Sequence, residues 1–284
     1  MSAARADVFV TAAELRQLIE TGDPVTVLDV RWTLAEPDGT EAYLAGHVPG
    51  AVYVSLDDEL SDHGVAGRGR HPLPSGRCLE ASARRWGLRS GVPVVVYDDW
   101  NRAGSGRAWW VLTAAGIPDV RILDGGLAAW TAAGGALQSG PVQPEPGDVV
   151  VAHDDLYHGA RRTITAEEAG AHRGVLLDAR APERFRGDVE PMDPAAGHIP
   201  GAVNLPSTRV LATDGTLLPD ADLRGLLAER GLTEGTEAGA YCGSGVTAAV
   251  AVAALAAAGV DAALFPGSWS EWAADPTRPV AVGP

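Results

Sequence analysis

Cys242 is the residue of this chain with the clearest potential for covalent chemistry. It lies in the segment Ala240-Tyr-Cys-Gly-Ser-Gly-Val-Thr-Ala248, between a short apolar run and an alanine-rich stretch. That order predicts a strand, a glycine-containing turn and a helix. A cysteine at the carboxyl end of a strand and before a helix N-terminus meets free amides and the positive end of the helix dipole, which favour a thiolate. We therefore interpret Cys242 as a nucleophile rather than as a buried structural cysteine.

The residues that follow the cysteine are small and could surround an anion. Glycines allow successive backbone N–H groups to point into one concavity, and the hydroxyls of Ser244 and Thr247 add side-chain donors. The candidate binding positions in this loop are Gly243, Gly245, Val246 and Thr247. The other cysteine, Cys78, begins a predicted helix without a glycine-rich loop, and we interpret it as structural.

The same series of motifs occurs twice in the chain and in the same order. The first pairs are Thr11-Ala-Ala-Glu14 with Thr165-Ala-Glu-Glu168, Asp29-Val-Arg31 with Asp178-Ala-Arg180, and Gly46-His-Val-Pro-Gly50 with Gly197-His-Ile-Pro-Gly201. The later pairs are Val94-Val-Val-Tyr-Asp98 with Ala238-Gly-Ala-Tyr-Cys242, and Leu123-Asp-Gly-Gly126 with Phe265-Pro-Gly-Ser268. We therefore interpret the chain as a duplicated module in which Asp98 occupies the place of Cys242.

Each copy alternates strands with helical stretches, which predicts an α/β fold with a mostly parallel sheet flanked by helices. A segment rich in Pro and Gly, Leu137–Gly147, indicates an exposed linker between the copies. We predict an N-terminal domain at residues 1–137, a linker at 138–148 and a C-terminal domain at 149–284. Because the N-terminal copy has Asp98 instead of the cysteine, we expect it to be catalytically inactive and to help close the pocket.

The charge and the composition argue against several classes of partner. The 284-residue chain has a formal net charge of -15, which repels nucleic acid and anionic membranes. No apolar run approaches the ~20 residues of a membrane-spanning helix, and the N-terminus lacks the pattern of a signal peptide, so we expect a cytoplasmic protein. Two cysteines form neither a disulfide framework nor a zinc motif, and we expect no metal. An anionic substrate would need specific arginines or backbone amides.

The motifs together resemble the tandem-domain rhodanese superfamily over nearly the whole chain. The resemblance rests on the Cys-Gly-Ser-Gly-Val-Thr-Ala loop, the paired Gly-His-x-Pro-Gly-Ala turns and the glycine segments ahead of Trp130 and Trp272. The Gly-Ser-Gly loop is similar to that of 3-mercaptopyruvate sulfurtransferases, whereas thiosulfate sulfurtransferases tend to carry basic residues after the cysteine. The resemblance implies two tandem rhodanese-like domains and a Cys242 persulfide, formed from a small anionic sulfur donor. It implies transfer to cyanide, a thiol or a thioredoxin-like acceptor, with no cofactor.

The resemblance also implies a proton relay. Asp58 and His71 look like the aspartate and histidine that work with the loop serine, here Ser244, in the mercaptopyruvate enzymes. Such a set can orient a serine and move a proton. When sulfur departs from mercaptopyruvate it leaves an enolate, and a proton must reach that enolate. From the residues alone, His71 could equally be an ordinary loop histidine and Asp58 a solvated carboxylate.

One arginine resembles the residue that binds the carboxylate or sulfonate of the donor. Arg184 suits that role because its guanidinium can bind a planar anion bidentately, and Arg186 is a neighbouring candidate. The mercaptopyruvate enzymes place a second arginine in a Glu-Pro-Arg context, where this chain has Met192. Arg186, Arg180 or Arg107 could replace it.

Other functions compete with sulfur transfer. A tyrosine-phosphatase-type enzyme needs an arginine where this chain has Ala248, which argues against that class. A cysteine hydrolase would need a histidine base near the thiol, and His71 leaves that alternative open. A thiosulfate:cyanide sulfurtransferase on the same cysteine and a non-enzymatic sulfur carrier are the remaining alternatives.

Overall fold

The computed structural model of the protein describes residues 2–233 and 235–284. These residues form two α/β units in tandem, each built on a parallel sheet with helices on its faces. Among the described residues, no helix combines the length and the apolar character that a membrane span requires. The predicted fold class, with two parallel sheets flanked by helices, is confirmed.

The sheet of the first unit has five strands within the described residues, in the order β1-β5-β4-β2-β3, and all its pairs are parallel. The strands are β1 (Phe9–Val10), β2 (Thr26–Asp29), β3 (Val52–Tyr53), β4 (Val94–Tyr97) and β5 (Val120–Leu123). The helices are α1 (Ala3–Ala6), α2 (Ala12–Thr21), α3 (Thr40–Ala45), α4 (Leu56–Glu59), α5 (Gly76–Arg85), α6 (Ala103–Ala114) and α7 (Gly126–Ala132). The central strand β4 is buried at every residue, as expected for a strand covered on both faces.

The second sheet repeats this arrangement in the order β7-β6-β8-β9, again with parallel pairs. The strands are β6 (Val175–Asp178), β7 (Val203–Asn204), β8 (Ala238–Tyr241) and β9 (Ala262–Leu264). The helices are α8 (Ala166–Gly170), α9 (Pro182–Arg186), α10 (Asp220–Ala228), α11 (Thr247–Ala257) and α12 (Ser268–Trp272), with 3-10 turns at Leu156–His158 and Ser207–Val210. A single parallel bridge, between Thr163 and Leu264, stands where the first sheet has β1.

The repeated motifs have the same structural roles in both units. Thr11 and Thr165 each form a complete capping box, at the start of α2 and α8. At the ends of β2 and β6, buried Asp29 and Asp178 each bind an arginine two residues later through short side-chain contacts. These pairs fix the strand ends, the edge at which parallel sheets of this kind bind ligands.

The two units share one apolar interface. Helix α6 of the first unit packs against α11 of the second, and one cluster of buried side chains runs through both. The approach is close at Gly106, where an added Cβ would lie 3.0 Å from Cγ2 of Val250. Alanine-rich α11 is buried along almost its whole length because it lies between its own sheet and α6. The two units therefore pack as a single core.

The proposed linker follows the surface of the first unit. Gln138 pairs with His47 in an antiparallel bridge, and the N–H groups of Gly147 and Asp148 donate to carbonyls of Arg84 and Leu88. The exact domain boundaries, 1–137, 138–148 and 149–284, stay a prediction.

Candidate active site

Cys242 lies directly after β8, at the carboxyl end of the second sheet, and is 2% exposed. Its N–H donates to Oγ of Ser268 at 3.1 Å, and its carbonyl accepts from the N–H of Trp269 at 3.0 Å. The start of α12 therefore fixes the cysteine backbone from one side. Trp269 is completely buried in the core.

The loop after the cysteine presents unused backbone donors. The carbonyl of Gly243 accepts from the N–H of Ser270, and the carbonyl of Gly245 accepts from Nη1 of Arg107. The N–H groups of residues 243–247 donate to no other described residue. The carbonyls of Gly243 and Gly245 accept hydrogen bonds from other segments, and the loop amides have no protein acceptor within the described residues. The amides can therefore donate to an anion on the sulfur.

Gly245 is required by the shape of this turn. Its φ of +77° lies in the left-handed region, and an added Cβ would lie 2.2 Å from the carbonyl oxygen of Pro266. Val246 is buried against Leu56 and Ala103 of the first unit, so it packs the loop onto the interface. Thr247 is half-buried and begins α11.

The corresponding loop of the first unit already contains an anion. The carboxylate of Asp98 accepts from the N–H groups of Trp100, Arg102 and Ser105, and it forms a buried ion pair with Arg102 at 3.0 Å. The carboxylate thus fills the kind of amide concavity that stays open around Cys242. This arrangement explains why the first copy can keep the loop without a thiol.

The two units meet at the loop serine. Nδ1 of His71, in the segment before α5, lies 2.8 Å from Oγ of Ser244. Nε2 of the same ring lies 3.3 Å from Oδ1 of Asp57, which also accepts from the indole N–H of Trp32. The structure thus joins Ser244, His71 and Asp57 in one chain of contacts, whereas the resemblance implied Asp58 as the aspartate.

The aspartate that contacts His71 is Asp57 and not the predicted Asp58. Asp58 is exposed, and its carboxylate accepts from the hydroxyl of Ser55, the N-cap of α4. Adjacent residues of a helix point about 100° apart, so only one of the two carboxylates can face the imidazole. The packing of α4 directs Asp57 towards the imidazole of His71 and leaves Asp58 at the surface.

Burial controls the charge of the relay. It lowers the pKa of His71 to about 3, and repulsion by Arg107 acts in the same direction. It also raises the pKa of Asp57 above its ordinary value. His71 is therefore neutral near pH 7, and its 3.3 Å approach to Oδ1 of Asp57 is the contact of a neutral ring rather than an ion pair. In the tautomer that carries its proton on Nε2, towards Asp57, Nδ1 can accept the hydroxyl proton of Ser244.

Two arginines flank the cysteine loop. An added Cβ on Gly243 would lie 3.1 Å from Nη2 of Arg70 and 3.5 Å from Nη1 of Arg184. The structure therefore places the predicted Arg184 at the loop and adds Arg70, which sequence reasoning missed. The available signal was the cluster of basic residues, Arg68-Gly-Arg70-His71, next to the predicted relay histidine.

The other arginine candidates are occupied elsewhere. Arg186 pairs with Asp188 in an exposed contact, and Arg180 is buried in its pair with Asp178. Arg107 is completely buried, and its donors bind main-chain carbonyls, including those of His71 and Gly245. Burial lowers the pKa of Arg107 to about 10, so it remains a cation that ties the relay segment to the cysteine loop. None of the three takes the place of an arginine at Met192, whose side chain is exposed.

The site offers no obvious metal position. Across residues 2–233 and 235–284, no three His, Cys, Asp or Glu side chains are grouped as a metal ion would require. The donors around Cys242 are amides, hydroxyls and guanidinium groups, which suit an anion and not a cation.

Comparison with known proteins identifies the class. A family model described as a Rhodanese-like domain matches the chain twice, at residues 11–133 and 163–275. The chain belongs to the rhodanese family, and the prediction of two tandem rhodanese-like domains is confirmed.

Relatives match over the full length. A protein from Mycobacterium tuberculosis, provisionally named thiosulfate sulfurtransferase SseB, is 67% identical over 280 residues and covers 99% of each chain. The 3-mercaptopyruvate sulfurtransferase of Escherichia coli K12 is 35% identical over 283 residues, with 96% of this chain and 97% of that protein covered. The crystal structure of SseA from Escherichia coli, described as a 3-mercaptopyruvate sulfotransferase, superposes with a TM-score of 0.79 at 32% identity and covers 92% of this chain and 98% of that one.

Proposed function

We propose that the protein transfers a sulfane sulfur from 3-mercaptopyruvate to a thiol or cyanide acceptor through a persulfide on Cys242. The prediction that the chain is a sulfurtransferase is confirmed by relatives that match it from end to end. What we propose beyond this is that 3-mercaptopyruvate is the sulfur donor. The observation that carries it is the contact chain from Ser244 through neutral His71 to Asp57.

The first half of the reaction can be written with the residues of the loop. The Cys242 thiolate attacks the sulfur of mercaptopyruvate, an S–S bond forms, and the C–S bond breaks with its electron pair remaining on carbon. The organic product is then the enolate of pyruvate. The proton of the donor's thiol is then transferred to that carbon. The products are pyruvate and a persulfide anion on Cys242.

The relay has a role in this proton transfer. Neutral His71 can accept the proton of Ser244, and Ser244 can in turn accept the proton of the donor's thiol and return it to the enolate. Asp57 keeps the imidazole in the tautomer that leaves Nδ1 as an acceptor. Thiosulfate releases sulfite and needs no proton on carbon, so a buried proton relay beside the cysteine favours mercaptopyruvate.

The second half regenerates the thiolate. A cyanide ion, a thiol or the thiolate of a thioredoxin-like protein attacks the outer sulfur, and the S–S electron pair returns to Cys242. The free amides of residues 243–247 hold the persulfide anion between the two halves. We place the reaction in the cytoplasm because a thiol that must return to its reduced form needs a reducing compartment.

Thiosulfate is the second candidate donor. Arg70 and Arg184 beside Gly243 suit a sulfonate as well as a carboxylate, and the relative that is 67% identical carries the thiosulfate name. A sulfur carrier without turnover is the non-enzymatic alternative.

The test is a mass measurement of the purified protein after incubation with each donor, followed by addition of cyanide. We expect one added sulfur on Cys242 with mercaptopyruvate, its loss as thiocyanate, and neither signal from Cys242→Ser. Faster loading by thiosulfate than by mercaptopyruvate would overturn the choice of donor. Absence of a persulfide with both donors would overturn sulfur transfer at Cys242.

A further inference from the structure

We propose that Arg107 is a positioning residue for sulfur transfer: its buried guanidinium fixes the relay segment to the cysteine loop and keeps a positive charge near Cys242. This role rests on the proposed function, because it concerns the thiolate and the relay of that reaction. Arg107 belongs to α6, a helix of the unit that has no cysteine.

The hydrogen bonds of Arg107 join three separate segments. Nη2 lies 2.9 Å from the carbonyl oxygen of His71, 3.0 Å from that of Leu60 and 3.3 Å from that of Pro72. Nε also donates to Leu60, and Nη1 donates to the carbonyl of Gly245 at 3.3 Å. One side chain thus connects the end of α4, the relay segment and the cysteine loop.

The charge of Arg107 is buried without a carboxylate. Its side chain is 0% exposed, and no aspartate or glutamate among the described residues acts on its charge. Within the same part of the chain, every other buried arginine binds a carboxylate: Arg5, Arg31, Arg102 and Arg180. Burial of an unpaired cation is costly, so we looked for a counter-charge that forms in the working enzyme.

The thiolate of Cys242 is the counter-charge that this arrangement offers. Burial lowers the pKa of Arg107 to about 10, and the negative charges of Tyr157 and Cys242 oppose that shift. Burial raises the pKa of Tyr157, so its phenol stays neutral near pH 7. The cysteine sulfur is therefore the group that can balance the charge of Arg107, and a nearby cation favours the thiolate over the thiol.

The same charge helps to keep the relay base neutral. Burial is the main cause of the lowered pKa of His71, and repulsion by Arg107 is the next. His63 and Arg70 add further repulsion, while Asp57 faces Nε2 of the ring. A cation bonded to both segments thus favours the two charge states that the attack requires, which are an anionic sulfur and an uncharged imidazole.

The bond to Gly245 also orients an amide of the loop. A trans peptide is planar, and its N–H points away from its C=O. Because Arg107 fixes the carbonyl of Gly245, the N–H of Val246 is directed to the opposite side. That N–H donates to no acceptor within the described residues, so it is available to an anion on the sulfur.

The kinetic experiment compares Arg107→Met with Arg5→Met. Arg5 is the matched control, because it is a buried arginine of the first unit that binds the carbonyls of Leu217 and Leu218 in the second. Arg107→Met should lower kcat about 100-fold and change KM less than about threefold, since geometry and charge at the sulfur are lost but donor binding is kept. Arg5→Met should keep kcat within about threefold of wild type.

A titration of the thiolate separates the charge from a structural role. Its ultraviolet absorbance is measured against pH without any donor, and the curve of Cys242→Ser is subtracted to remove the contributions of Cys78 and the tyrosines. The midpoint should rise by about 1 pH unit in Arg107→Met and Arg107→Gln, which lack the charge. Arg107→Lys should keep the wild-type midpoint but recover kcat only in part, because an ammonium lacks the planar fork.

Two results would overturn the proposal. One is a wild-type midpoint in the variants without the charge, and the other is a fall in kcat no larger than that of Arg5→Met. If Arg107→Met does not fold, Arg107→Gln and Arg107→Lys give the same comparison without and with the charge.

The proposed function is tested separately, by persulfide formation on Cys242 of the wild type with each donor. The kinetics use whichever donor loads the cysteine, and the titration uses none. A raised midpoint in Arg107→Gln would therefore support the role of the charge even if sulfur transfer failed, and an unchanged one would overturn that role while sulfur transfer stands.

Discussion

Nδ1 of His71 lies 2.8 Å from Oγ of Ser244, and this contact joins the unit without a cysteine to the unit that carries it. Arg107 reinforces the junction by donating to the carbonyls of both His71 and Gly245. The first unit therefore contributes directly to the site. In the proposed mechanism, the two copies of the fold provide different parts of one active site.

The relay is tested by replacing the two adjacent aspartates separately. Asp57→Asn should lower kcat with mercaptopyruvate about 10- to 100-fold, because the proposed relay requires Asp57 to fix the tautomer of His71. Asp58→Asn is the matched control and should stay within about twofold in kcat, because Asp58 is exposed and contacts Ser55. Steady-state pyruvate production measures both. Equal activity in the two variants would remove Asp57 from the relay.

The pH dependence of stability tests the neutral state of His71. Its pKa falls from about 6.5 in the unfolded chain to about 3 in the folded protein, so below pH 6.5 the unfolded chain takes up a proton that the folded protein refuses. The contribution to stability is therefore complete above pH 6.5 and is lost as the pH falls towards 3. Between pH 6.5 and pH 3, the free energy of unfolding of the wild type should fall by up to about 1.4 kcal/mol per pH unit relative to that of His71→Asn.

Urea unfolding of the two proteins at a series of pH values measures the difference. Parallel curves for wild type and His71→Asn across that window would mean that His71 titrates near its ordinary pKa in the folded protein. In that case His71 would be charged in mildly acidic solution and could not accept the proton of Ser244.

Much of this architecture could be predicted from the sequence, because it depends on local patterns. The capping boxes at Thr11 and Thr165, the buried strands and the turn after Cys242 follow from spacing and residue type, and the repeat supplied the topology twice. The choice between Asp57 and Asp58 could not be predicted, since both lie on α4 and only the tertiary packing of that helix decides which one faces His71.

Arg70 illustrates the same limit over a longer distance. It is far from Arg184 and Gly243 in the sequence, and the basic cluster beside His71 marks Arg70 without indicating which residues of the other unit it meets. The packing of the two units against each other brings Arg70 to Gly243 and Arg184. Residues from opposite units can be paired only when the geometry of their interface is known.

The shape of the cysteine loop is tested by two glycine substitutions. Gly245→Ala combines a left-handed φ with a clash against the carbonyl of Pro266, so the loop must move. We expect a loss of at least about 100-fold in kcat/KM, because catalytic geometry is sensitive to displacements of about 1 Å. Gly259→Ala is the control, since its φ is +84° but nothing lies within 4 Å of the new Cβ.

Gly259→Ala should lower the free energy of unfolding by about 1 kcal/mol and leave sulfur transfer unchanged. Thiocyanate production and urea unfolding of both variants separate backbone strain from loop displacement. If Gly245→Ala kept full activity, the positions of the loop amides would not matter for holding the persulfide.

Asp98 should matter for folding and not for chemistry. Asp98→Ala leaves the buried guanidinium of Arg102 without its counter-ion and removes the acceptor for the N–H groups of Trp100 and Ser105. We expect a loss of about 3 kcal/mol in the free energy of unfolding, because an unpaired buried charge is costly. The kcat/KM of the folded fraction should stay within about twofold of wild type, since Asp98 belongs to the loop without a cysteine. Unfolding curves and donor kinetics on the same preparation measure both, and a tenfold loss of kcat/KM with unchanged stability would instead place the Asp98 loop in the catalytic cycle.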